Sequence, residues 1–391
     1  MPASQQFTHT AIGEIFKVSS GGTPSRKKNE YFKDGQILWV KTGDLKSKFV
    51  GKPSEAISQL GLENSSAKLF PPKTVLLAMY GATIGACSIL TFEAATNQAC
   101  AAILPSESCD EVYLYYYLTS IRASLINMGV GGAQPNISAG LIKRLKIPLP
   151  PLAEQKQIAE ILDAADSLRQ KDQQLIEHYT ALSQSLFLDM FGDPSSNPKE
   201  FKRSLLGDVI DIKGGSQPPK SVFKSEPSSG YVRLVQIRDY KTDKYLTYVP
   251  LEATKKFCTE DDIMIGRYGP PVFQILRGIS GAYNVALMKA IPLEEMDAEF
   301  VFHLLSCTYM QNIVIGNSKR TAGQTGVNLK LLNSIEVSVP PIELQKKFAT
   351  RVSSIEQQKQ QAQASLAKSE DLFNSLLQRA FKGELTGRKV A

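Results

Sequence analysis

Two glycine-containing loops carry hydroxyl and cationic side chains at spacings that suit binding to phosphate groups. They cover residues 20–28 (SGGTPSRKK) and 213–220 (KGGSQPPK). Backbone amides, Ser and Thr hydroxyls and Lys or Arg side chains are the usual donors to phosphate oxygens. Neither loop has the GxxxxGK(S/T) spacing of a nucleotide-binding P-loop, and a plain surface turn would explain either loop alone. The candidate phosphate-binding side chains are Ser20, Thr23, Arg26, Lys27, Lys213, Ser216 and Lys220.

A second group of side chains has the chemistry to read nucleic-acid bases. Arg and Gln can form two hydrogen bonds with one base edge, and Asp can accept from cytosine. Such residues occupy corresponding strand ends at 41–44 (KTGD) and 236–239 (QIRD), and two Tyr-Gly pairs and two amide-rich loops accompany them. An ion pair closing a turn, packing of the tyrosines in a core, or simple loop flexibility is the alternative at each place. The candidates are Lys41, Thr42, Asp44, Tyr80, Gln134, Asn136, Gln236, Arg238, Asp239, Arg267, Tyr268, Lys319, Arg320 and Gln324.

Residue sets for catalysis are missing from the sequence. The 3 histidines (His9, His178 and His303) are scattered, and the 5 cysteines form no CxxC pair. We find no Walker lysine, no methyltransferase FxGxG or (N/D)PP(Y/F/W) pattern and no cluster with metal-ligand spacing. The cysteines are typical of reduced thiols, and no apolar run reaches the length of a membrane helix. The sequence therefore predicts a cytoplasmic binding protein with no catalytic residue, metal, cofactor or membrane association.

The strongest signal is an internal repeat at an offset of 190 residues. Residues 150–159 (PPLAEQKQIA) match 340–349 (PPIELQKKFA) without a gap, and 185–191 (SLFLDMF) match 375–381 (SLLQRAF) in the same register. Across these 42 positions 11 residues are identical, where average composition gives roughly two or three by chance. The segments before them correspond more loosely but keep the order of their loops. We infer that a scaffold was duplicated and that its contact residues then diverged.

Both closely repeated segments are predicted to be long helices, and a helix of about 40 residues spans roughly 60 Å. Residues 152–193 hold 3 basic and 8 acidic side chains, whereas 342–382 hold 7 and 4. Because the first is acidic and the second basic, we expect the helices to pair with each other; the alternative is that each packs only on its own domain. The apolar residues predicted to form the coiled-coil seams are Ile161, Leu168, Leu175 and Leu182 in the first helix and Phe348, Val352, Ile355, Leu366 and Phe373 in the second.

The other segments are predicted to be mixed α/β modules with many short strands bounded by Gly, Pro and Asn. One buried helix per module is expected, at 111–126 and at 298–314. A linker rich in Pro, Ser and Asn at 193–203 is a natural boundary. The predicted domains are a recognition module at 1–151, a helix at 152–193, a second recognition module at 194–341, and a helix with a tail at 342–391.

The combination of these motifs resembles the specificity subunits of type I restriction-modification systems. The residues that carry the resemblance are Pro148–Gln155, Met190–Pro194, Asn197–Lys199 and, in the second copy, Pro340–Gln345. The second copy departs from the first after its helix, where Lys382–Leu385 replaces the Gly-Asp-Pro stop. Nearly all of 10–385 is covered by the resemblance.

The resemblance implies an α/β (α+β) fold with two similar target recognition domains, related by pseudo-two-fold symmetry and separated by two long antiparallel coiled-coil spacer helices. Each domain would read one half of a bipartite, asymmetric double-stranded DNA target, and the helices would set the gap. The implied partners are two methyltransferase (modification) subunits, which dock on the helices, and restriction or translocase subunits. Adenine methylation and ATP-dependent restriction would belong to those partners, so the chain itself would be non-catalytic.

Two other function classes stay open from the residues alone. Duplicated modules on a rigid strut would also suit an interaction scaffold that binds protein, and an enzyme with an unrecognised site is the third class. Charge reversal at Lys41, Arg238 and Arg267 separates the first two, because a DNA reader would lose DNA protection while subunit assembly stays intact.

Overall fold

The computed structural model describes residues 7–129, 136–269, 271–318 and 326–386. The chain forms two compact units. Unit 1 consists of Met1–Gln173 and Ala364–Ala391, and unit 2 consists of Gln174–Gln363. Each unit therefore combines one α/β module with a segment of each long helix.

Unit 1 begins with short strands and helices, and its long helix continues into unit 2. Its strands are β1 (His9–Ala11), β2 (Val18–Ser20), β3 (Ile37–Val40), β4 (Glu55–Ile57), β5 (Leu69–Phe70), β6 (Val75–Ala78), β7 (Cys87–Ile89), β8 (Ala94–Thr96), β9 (Cys100–Ile103) and β10 (Lys146–Pro148). Its helices are α1 (Ile12–Ile15), α2 (Gln59–Glu63), α3 (Glu111–Ser120), α4 (Arg122–Met128), α5 (Ala139–Arg144) and the start of α6 (Leu152–Phe191).

Unit 2 repeats the same order of strands, with a 3₁₀ turn at Leu251–Ala253 where unit 1 has α2. Its strands are β11 (Lys202–Leu205), β12 (Ile210–Gly214), β13 (Tyr231–Val235), β14 (Tyr248–Pro250), β15 (Phe257–Cys258), β16 (Ile263–Gly266), β17 (Gln274–Leu276), β18 (Gly281–Tyr283), β19 (Leu287–Pro292) and β20 (Glu336–Val339). Its helices are α7 (Leu206–Val209), α8 (Ala298–Ser306), α9 (Thr308–Ser318), α10 (Leu329–Asn333) and the start of α11 (Ile342–Ala380).

The two modules have the same sheet topology. In unit 1, β2-β9-β6-β7 form an antiparallel sheet, β4-β3-β8-β5 form a second sheet in which β3 and β8 are parallel, and β1 pairs with β10. In unit 2 the orders are β12-β19-β16-β17, β14-β13-β18-β15 and β11-β20, with β13 and β18 parallel. The predicted α/β fold with two similar modules is confirmed. The prediction of one buried helix per module is wrong in detail, because α3 and α4 meet at Ile121 and α8 and α9 meet at Cys307.

Both predicted long helices are present, as α6 with 40 residues and α11 with 39. Pro150 and Pro151 precede α6, and proline fixes φ and lacks the N–H that a continuing helix needs. At the other end Gly192 adopts φ +75° and its N–H donates to Leu188 O at 2.8 Å. Glycine takes this left-handed conformation at low cost, so it ends the helix before Asp193.

The two helices run antiparallel within each unit. In unit 1, Asp172 of α6 accepts hydrogen bonds from Ser365 Oγ at 3.2 Å and Ser369 Oγ at 2.9 Å of α11. In unit 2, the rings of Phe187 and Phe348 lie 5.8 Å apart in an edge-to-face contact. These contacts are hydrogen bonds and aromatic packing, so attraction between an acidic and a basic helix stays a prediction.

The predicted leucine seam of α6 is wrong. Leu168, Leu175 and Leu182 are 45%, 40% and 50% exposed, and Ile161 is only partly buried. The buried register is the neighbouring one, because Ile158, Ala165 and Asp172, which are also spaced by seven residues, are buried. The residues that α6 buries instead are Gln155, Ile158, Ala159, Leu162, Ala165, Asp166, Asp172, Ser183, Phe187 and Phe191.

The predicted seam of α11 agrees better with the structure. Phe348 and Val352 are fully buried in the core of unit 2, and Phe373 is buried in the core of unit 1. Ile355 and Leu366 are only partly buried. Each helix thus packs both on a module and on its antiparallel neighbour, so the two alternatives for its apolar face hold together.

Candidate nucleic-acid interface

In each unit one turn brings together the strand ends that carry the candidate base-reading residues. We call it the junction turn, which is Asn97–Ala99 in unit 1. Asn97 N–H donates to Val40 O at the end of β3 at 3.0 Å, and Met79 N–H after β6 donates to Ala99 O at 2.8 Å. Because both bonds are between backbone atoms, they fix the strand ends whatever side chains the strands carry.

The junction turn of unit 2 is Asn284–Ala286 and has the same bonds. Asn284 N–H donates to Val235 O at the end of β13 at 3.2 Å, and Arg267 N–H after β16 donates to Ala286 O at 2.8 Å. Asn284 Oδ1 also accepts from Ala286 N–H at 3.1 Å, which closes the turn. The duplicated scaffold is therefore preserved at this place down to individual backbone bonds.

The first glycine loop is held against the junction by close backbone contact. Gly22 N–H donates to Thr96 O at 2.9 Å, and Trp39 Nε1 donates to Gly22 O at 3.1 Å. A Cβ on Gly21 would lie 2.0 Å from Thr96 O, so only glycine fits. Thr23, Arg26 and Lys27 follow in the same loop with exposed side chains, and Ser20 before it is partly buried.

One carboxylate organises the cations of unit 1. Arg26 forms an ion pair with Glu55 at 2.6 Å, and Lys41 pairs with the same carboxylate. These contacts, the one from Lys41 foremost, lower the pKa of Glu55. The Arg26 guanidinium also lies 4.5 Å from the ring centre of Phe32. Two cations facing one anion leave a net positive charge, on side chains that are pre-positioned rather than free.

The matched aspartates at the strand ends cap turns. Asp44 Oδ2 accepts from Lys41 N–H at 2.8 Å, and Asp239 Oδ2 accepts from Gln236 N–H at 3.1 Å. The side chain of Asp239 is 1% exposed, and burial raises its pKa. Both contacts support the alternative of a structural turn for these two aspartates. Thr42, which lies between Lys41 and Asp44, remains partly exposed.

Unit 2 presents a different set of side chains at the same strand end. Gln236 Nε2 donates to Thr247 Oγ1 at 3.2 Å, and Arg238 donates to Tyr245 O at 3.0 Å. The Arg238 side chain is half exposed and its guanidinium lies 5.9 Å from the Tyr245 ring. Unit 2 therefore offers an amide and a planar guanidinium where unit 1 offers a lysine.

The second glycine loop is anchored like the first. Ser216 N–H donates to Tyr283 O at 3.2 Å, and its hydroxyl lies 2.5 Å from Thr254 Oγ1. Lys213 forms an exposed ion pair with Asp211 at 2.8 Å. Lys220 is exposed at the end of the loop.

The tyrosine positions lie beside the segments that precede α5 and α10. Tyr80 forms a bridge with Asn136, and Tyr268 forms one with Gly326. The guanidinium of Arg267 lies 5.2 Å from the Tyr268 ring, and a cavity of about 380 Å³ opens next to both residues. The structure thus places two of the predicted site residues, Tyr80 and Asn136, next to each other. The candidates Gln134, Lys319, Arg320 and Gln324 lie outside the described residues.

Three contributors to this surface were missed at the level of sequence. Glu55 pairs with two predicted cations, Gln98 of the junction turn contacts Thr23 Oγ1, and Lys330 lines the cavity at Arg267. The correspondence of residues 96–99 with 283–286 was a usable signal for the junction turn. No sequence pattern links Glu55 to Lys41, because the pairing depends on β4 lying beside β3.

The positive charge and the hydrogen-bonding groups at the junction suit a nucleic acid, which offers phosphates and base edges. Cations, hydroxyls and amides converge on one strand-end region in each unit, as phosphate and base recognition require. Among residues 7–129, 136–269, 271–318 and 326–386, no group of three His, Cys, Asp or Glu side chains could hold a metal ion. Within the same ranges, no helix is both long and apolar enough to cross a membrane.

Comparison with known proteins places these features in a family. The model of the type I restriction modification DNA specificity domain matches residues 5–178 and again 198–367. The EcoKI specificity subunit of Escherichia coli K12 is 23% identical over 412 residues, covering 92% of this chain and 84% of that protein. The MjaIX specificity subunit of Methanocaldococcus jannaschii is 26% identical over 272 residues, covering 60% of this chain and 62% of that protein.

The likeness extends to solved structures. The S subunit of a type I restriction-modification system from M. genitalium superposes with a TM-score of 0.58 at 18% identity, over 97% of this chain and 96% of that chain. At that identity the likeness shows a shared fold. The chain spans 62%, 40% and 64% of the length of three of the curated relatives it matches. Because the family model matches most of the chain in two copies, the protein belongs to the family of type I restriction-modification DNA specificity domains.

Proposed function

We propose that the chain is a sequence-specific DNA-binding specificity subunit in which each module reads one half of a bipartite, asymmetric target. The observation that carries this proposal is the junction turn, which keeps the same backbone bonds in both units while the side chains around it differ. Such a scaffold suits two readers of different half-sites. Recognition then belongs to residues 1–151 and 194–341, and spacing to residues 152–193 and 342–391.

The difference between the strand ends supports unequal half-sites. Unit 1 presents Lys41, a point charge held by Glu55, whereas unit 2 presents Gln236, Arg238 and Arg267. Gln and Arg can each make paired hydrogen bonds to one base, adenine and guanine respectively, and lysine is less discriminating. We therefore expect the two modules to select different bases.

The DNA-reading role is tested at Arg267. Arg267→Ala is expected to weaken binding of the cognate DNA by about 1–3 kcal/mol and to relax selection at one base position. Lys202→Ala is the matched control, because Lys202 is an exposed cation of unit 2 that lies on β11, outside the junction turn, and pairs with Glu295. The measurement is a binding titration at one fixed salt concentration, since phosphate contacts make affinity salt-dependent. Equal losses from both variants would contradict base reading by Arg267.

Charge reversal at Lys41, Arg238 and Arg267 together separates a DNA reader from a protein scaffold. The proposal expects DNA protection to be lost while the partner subunits still assemble. Retained protection with lost assembly would favour the scaffold instead.

We further propose that the partners are two methyltransferase subunits, one docked on each unit. Leu182 in unit 2 and Leu372 in unit 1 are identical residues at equivalent positions of the repeat, and they are 50% and 45% exposed. One exposed leucine needs no explanation. The same exposed leucine in both copies supports a contact that was kept because it is used twice.

Aspartate substitution tests the docking. Leu182→Asp and Leu372→Asp are each expected to lower the number of bound methyltransferase subunits from two to one, measured by native mass spectrometry. Leu188→Asp is the control, because Leu188 is 51% exposed but its repeat partner is Gln378. Two methyltransferases bound to every variant would contradict this assignment.

The chemistry is proposed to reside in partner subunits, with adenine methylation in the methyltransferases and ATP-dependent restriction in the restriction or translocase subunits. The purified chain is then expected to bind DNA but to leave adenine unmethylated when S-adenosylmethionine is supplied. Methylation by the chain alone would overturn the proposal. The setting is the cytoplasm, where the DNA and these partners meet.

A further inference from the structure

One buried glutamine lies at the start of each long helix, where the helix leaves its module. Gln155 in the first turn of α6 and Gln345 in the first turn of α11 are both 0% exposed. They occupy equivalent positions of the 190-residue repeat. A buried side-chain amide must find acceptors for two N–H groups and a donor for its oxygen.

In unit 1 the amide of Gln155 makes three hydrogen bonds to two segments of backbone. Its Nε2 donates to Pro150 O at 2.8 Å and to Ser108 O at 3.1 Å, and its Oε1 accepts from Asp110 N–H at 3.0 Å. Asp110 is itself the N-cap of α3 and accepts from two N–H groups of that helix. The glutamine therefore bonds the start of α6 to the start of the buried helix of the module.

Gln345 makes the same three bonds in unit 2. Its Nε2 donates to Pro340 O at 2.8 Å and to Glu295 O at 2.9 Å, and its Oε1 accepts from Asp297 N–H at 2.8 Å. Asp297 caps α8 as Asp110 caps α3. We call this three-bond arrangement the helix joint.

We propose that Gln155 and Gln345 are positioning residues that fix the direction of each long helix relative to the module of its own unit, and thereby restrict the gap allowed between the half-sites. The inference rests on the proposed function, which supplies the half-sites and the gap. The length of the helices sets the approximate gap between the half-sites, and the two glutamines fix it to one value.

The physical reason is the difference between apolar and hydrogen-bonded contacts. In unit 1, α6 also meets its module through buried apolar residues such as Ile158 and Leu162, and apolar burial has no preferred angle. Asp163 adds a hydrogen bond from Tyr116 Oη at 2.5 Å and an ion pair with Lys48 at 2.7 Å. Its repeat partner is Ser353, so the joint is a polar anchor whose residue both helices share. Hydrogen bonds weaken steeply away from their preferred geometry. The two bonds that each glutamine makes to its module therefore restrict the direction of the helix, and the bond to the preceding proline carbonyl fixes the amide itself. A turn of roughly 5° moves the far end of a helix of roughly 60 Å by about 5 Å, which exceeds the rise of about 3.4 Å per base pair.

The test replaces the amide with an apolar side chain of similar length. Gln155→Met and Gln345→Met remove all three bonds of one joint each. Thr74→Val is the matched control, because Thr74 is also 0% exposed and its hydroxyl donates to Pro71 O at 2.8 Å within a turn of the module. Each variant is assembled with the methyltransferase subunits, and methylated adenines in host DNA are mapped by long-read sequencing.

The wild-type complex is expected to methylate the bipartite target at one gap length only. Each methionine variant is expected to methylate targets whose gap differs by one base pair, at a level at least about tenfold above the wild type. Thr74→Val is expected to lower the thermal midpoint but to keep the single gap, because a merely structural loss does not widen spacing. If a methionine variant does not fold, Gln155→Asn, which keeps an amide with shorter reach, is expected to widen the gap in the same way.

Folded Gln155 and Gln345 variants that retain one gap at the wild-type level would overturn the inference. A wild-type complex that methylates no bipartite target would instead overturn the proposed function. The two failures are therefore distinguishable in the same data set.

Discussion

Units 1 and 2 differ in the side chains that lie between the long helices and the first buried helix of each module. In unit 1, Phe373 of α11 is buried, its ring lies 6.0 Å from that of Tyr116, and the Arg169 guanidinium lies 4.7 Å from its centre. The repeat offset puts Ser183 of α6 at the position of Phe373 and Lys359 at that of Arg169. His303 occupies in α8 the place that Tyr116 has in α3, counted from the capping aspartates.

The smaller side chains leave a cavity in unit 2. It measures about 290 Å³ and is lined by Ser183, Phe187, His303 and Lys359 among others. The surface nearby has been kept, because the ion pair between Asp166 and Arg169 in α6 recurs as Glu356 with Lys359 in α11. The duplicated backbone therefore tolerates loss of an aromatic ring, and the two copies are stabilised by different side chains.

The largest expected difference comes from truncating the two equivalent helix residues. Phe373→Ala should destabilise unit 1 by about 3–5 kcal/mol, because it removes a buried ring and leaves a cavity. Ser183→Ala should cost unit 2 less than about 1.5 kcal/mol, since Ser183 only donates to Tyr179 O of its own helix. Urea unfolding with hydrogen exchange resolved by unit measures both, and equal losses would break the comparison.

Acid should affect unit 2 through Glu299, whose counterpart in unit 1 is the apolar Val112. Burial acts to raise the pKa of Glu299, but His303 and an Arg277 contact at 2.5 Å hold it at about 2. A carboxyl whose pKa is depressed on folding stabilises the protein above its unfolded pKa of about 4.5, and this stability is lost as pH falls towards 2. The contribution is on the order of 3 kcal/mol.

Glu299→Gln is the variant that checks this acid effect. The stability difference between wild type and variant should shrink as the pH is lowered from about 5 to about 2. Val112→Ala serves as the control in unit 1, where the difference should not depend on pH. A pH-independent difference for Glu299→Gln would contradict the assigned role.

Filling the cavity should make unit 2 resemble unit 1. Ser183→Phe is expected to stabilise unit 2 by about 0.5–2 kcal/mol, seen as a higher thermal midpoint. Ser185→Phe on the exposed side of the same helix should give no gain. A lower midpoint for Ser183→Phe would mean that the space cannot accept a ring.

The smallest effect is expected at the exposed leucines. Leu168→Ala should change the stability of unit 1 by less than about 0.5 kcal/mol, whereas Leu162→Ala, at a fully buried position, should cost about 2–5 kcal/mol. The free energy of unfolding of the two variants measures this. A large loss of unfolding free energy in Leu168→Ala would mean that Leu168 is buried, as the predicted leucine seam requires.

The duplicated fold was predictable because short sequence motifs mark the ends of its helices and repeat at a fixed offset. Pro150, Pro151 and Gly192 mark the ends of α6, and the 190-residue offset marks α11. The packing face was not predictable from leucine spacing, because α6 contacts both a module and a helix and buries a face with a period near 3.6. Asp172 is a charged residue on the buried register of Ile158 and Ala165, and its partners Ser365 and Ser369 lie on the other helix.

The candidate site was predictable in position but not in detail. The strand ends at Lys41 and Gln236 do lie beside a shared turn in each unit. The residues that contact those side chains, such as Glu55 and Thr247, come from other strands or loops. No sequence pattern predicts these contacts. Gln155 and Gln345 were visible only as identities of the repeat, since a buried amide and an exposed one look alike in a sequence.

The most direct test of the central claim is a map of methylated adenines in cells that carry this chain and its methyltransferase subunits. We expect one bipartite motif with two different half-sites and one fixed gap, and we expect this motif to be lost when Arg267 and Lys41 are reversed in charge. A continuous or palindromic motif, or an unchanged map in the charge-reversed variant, would contradict the claim that two diverged modules each read one half of the target.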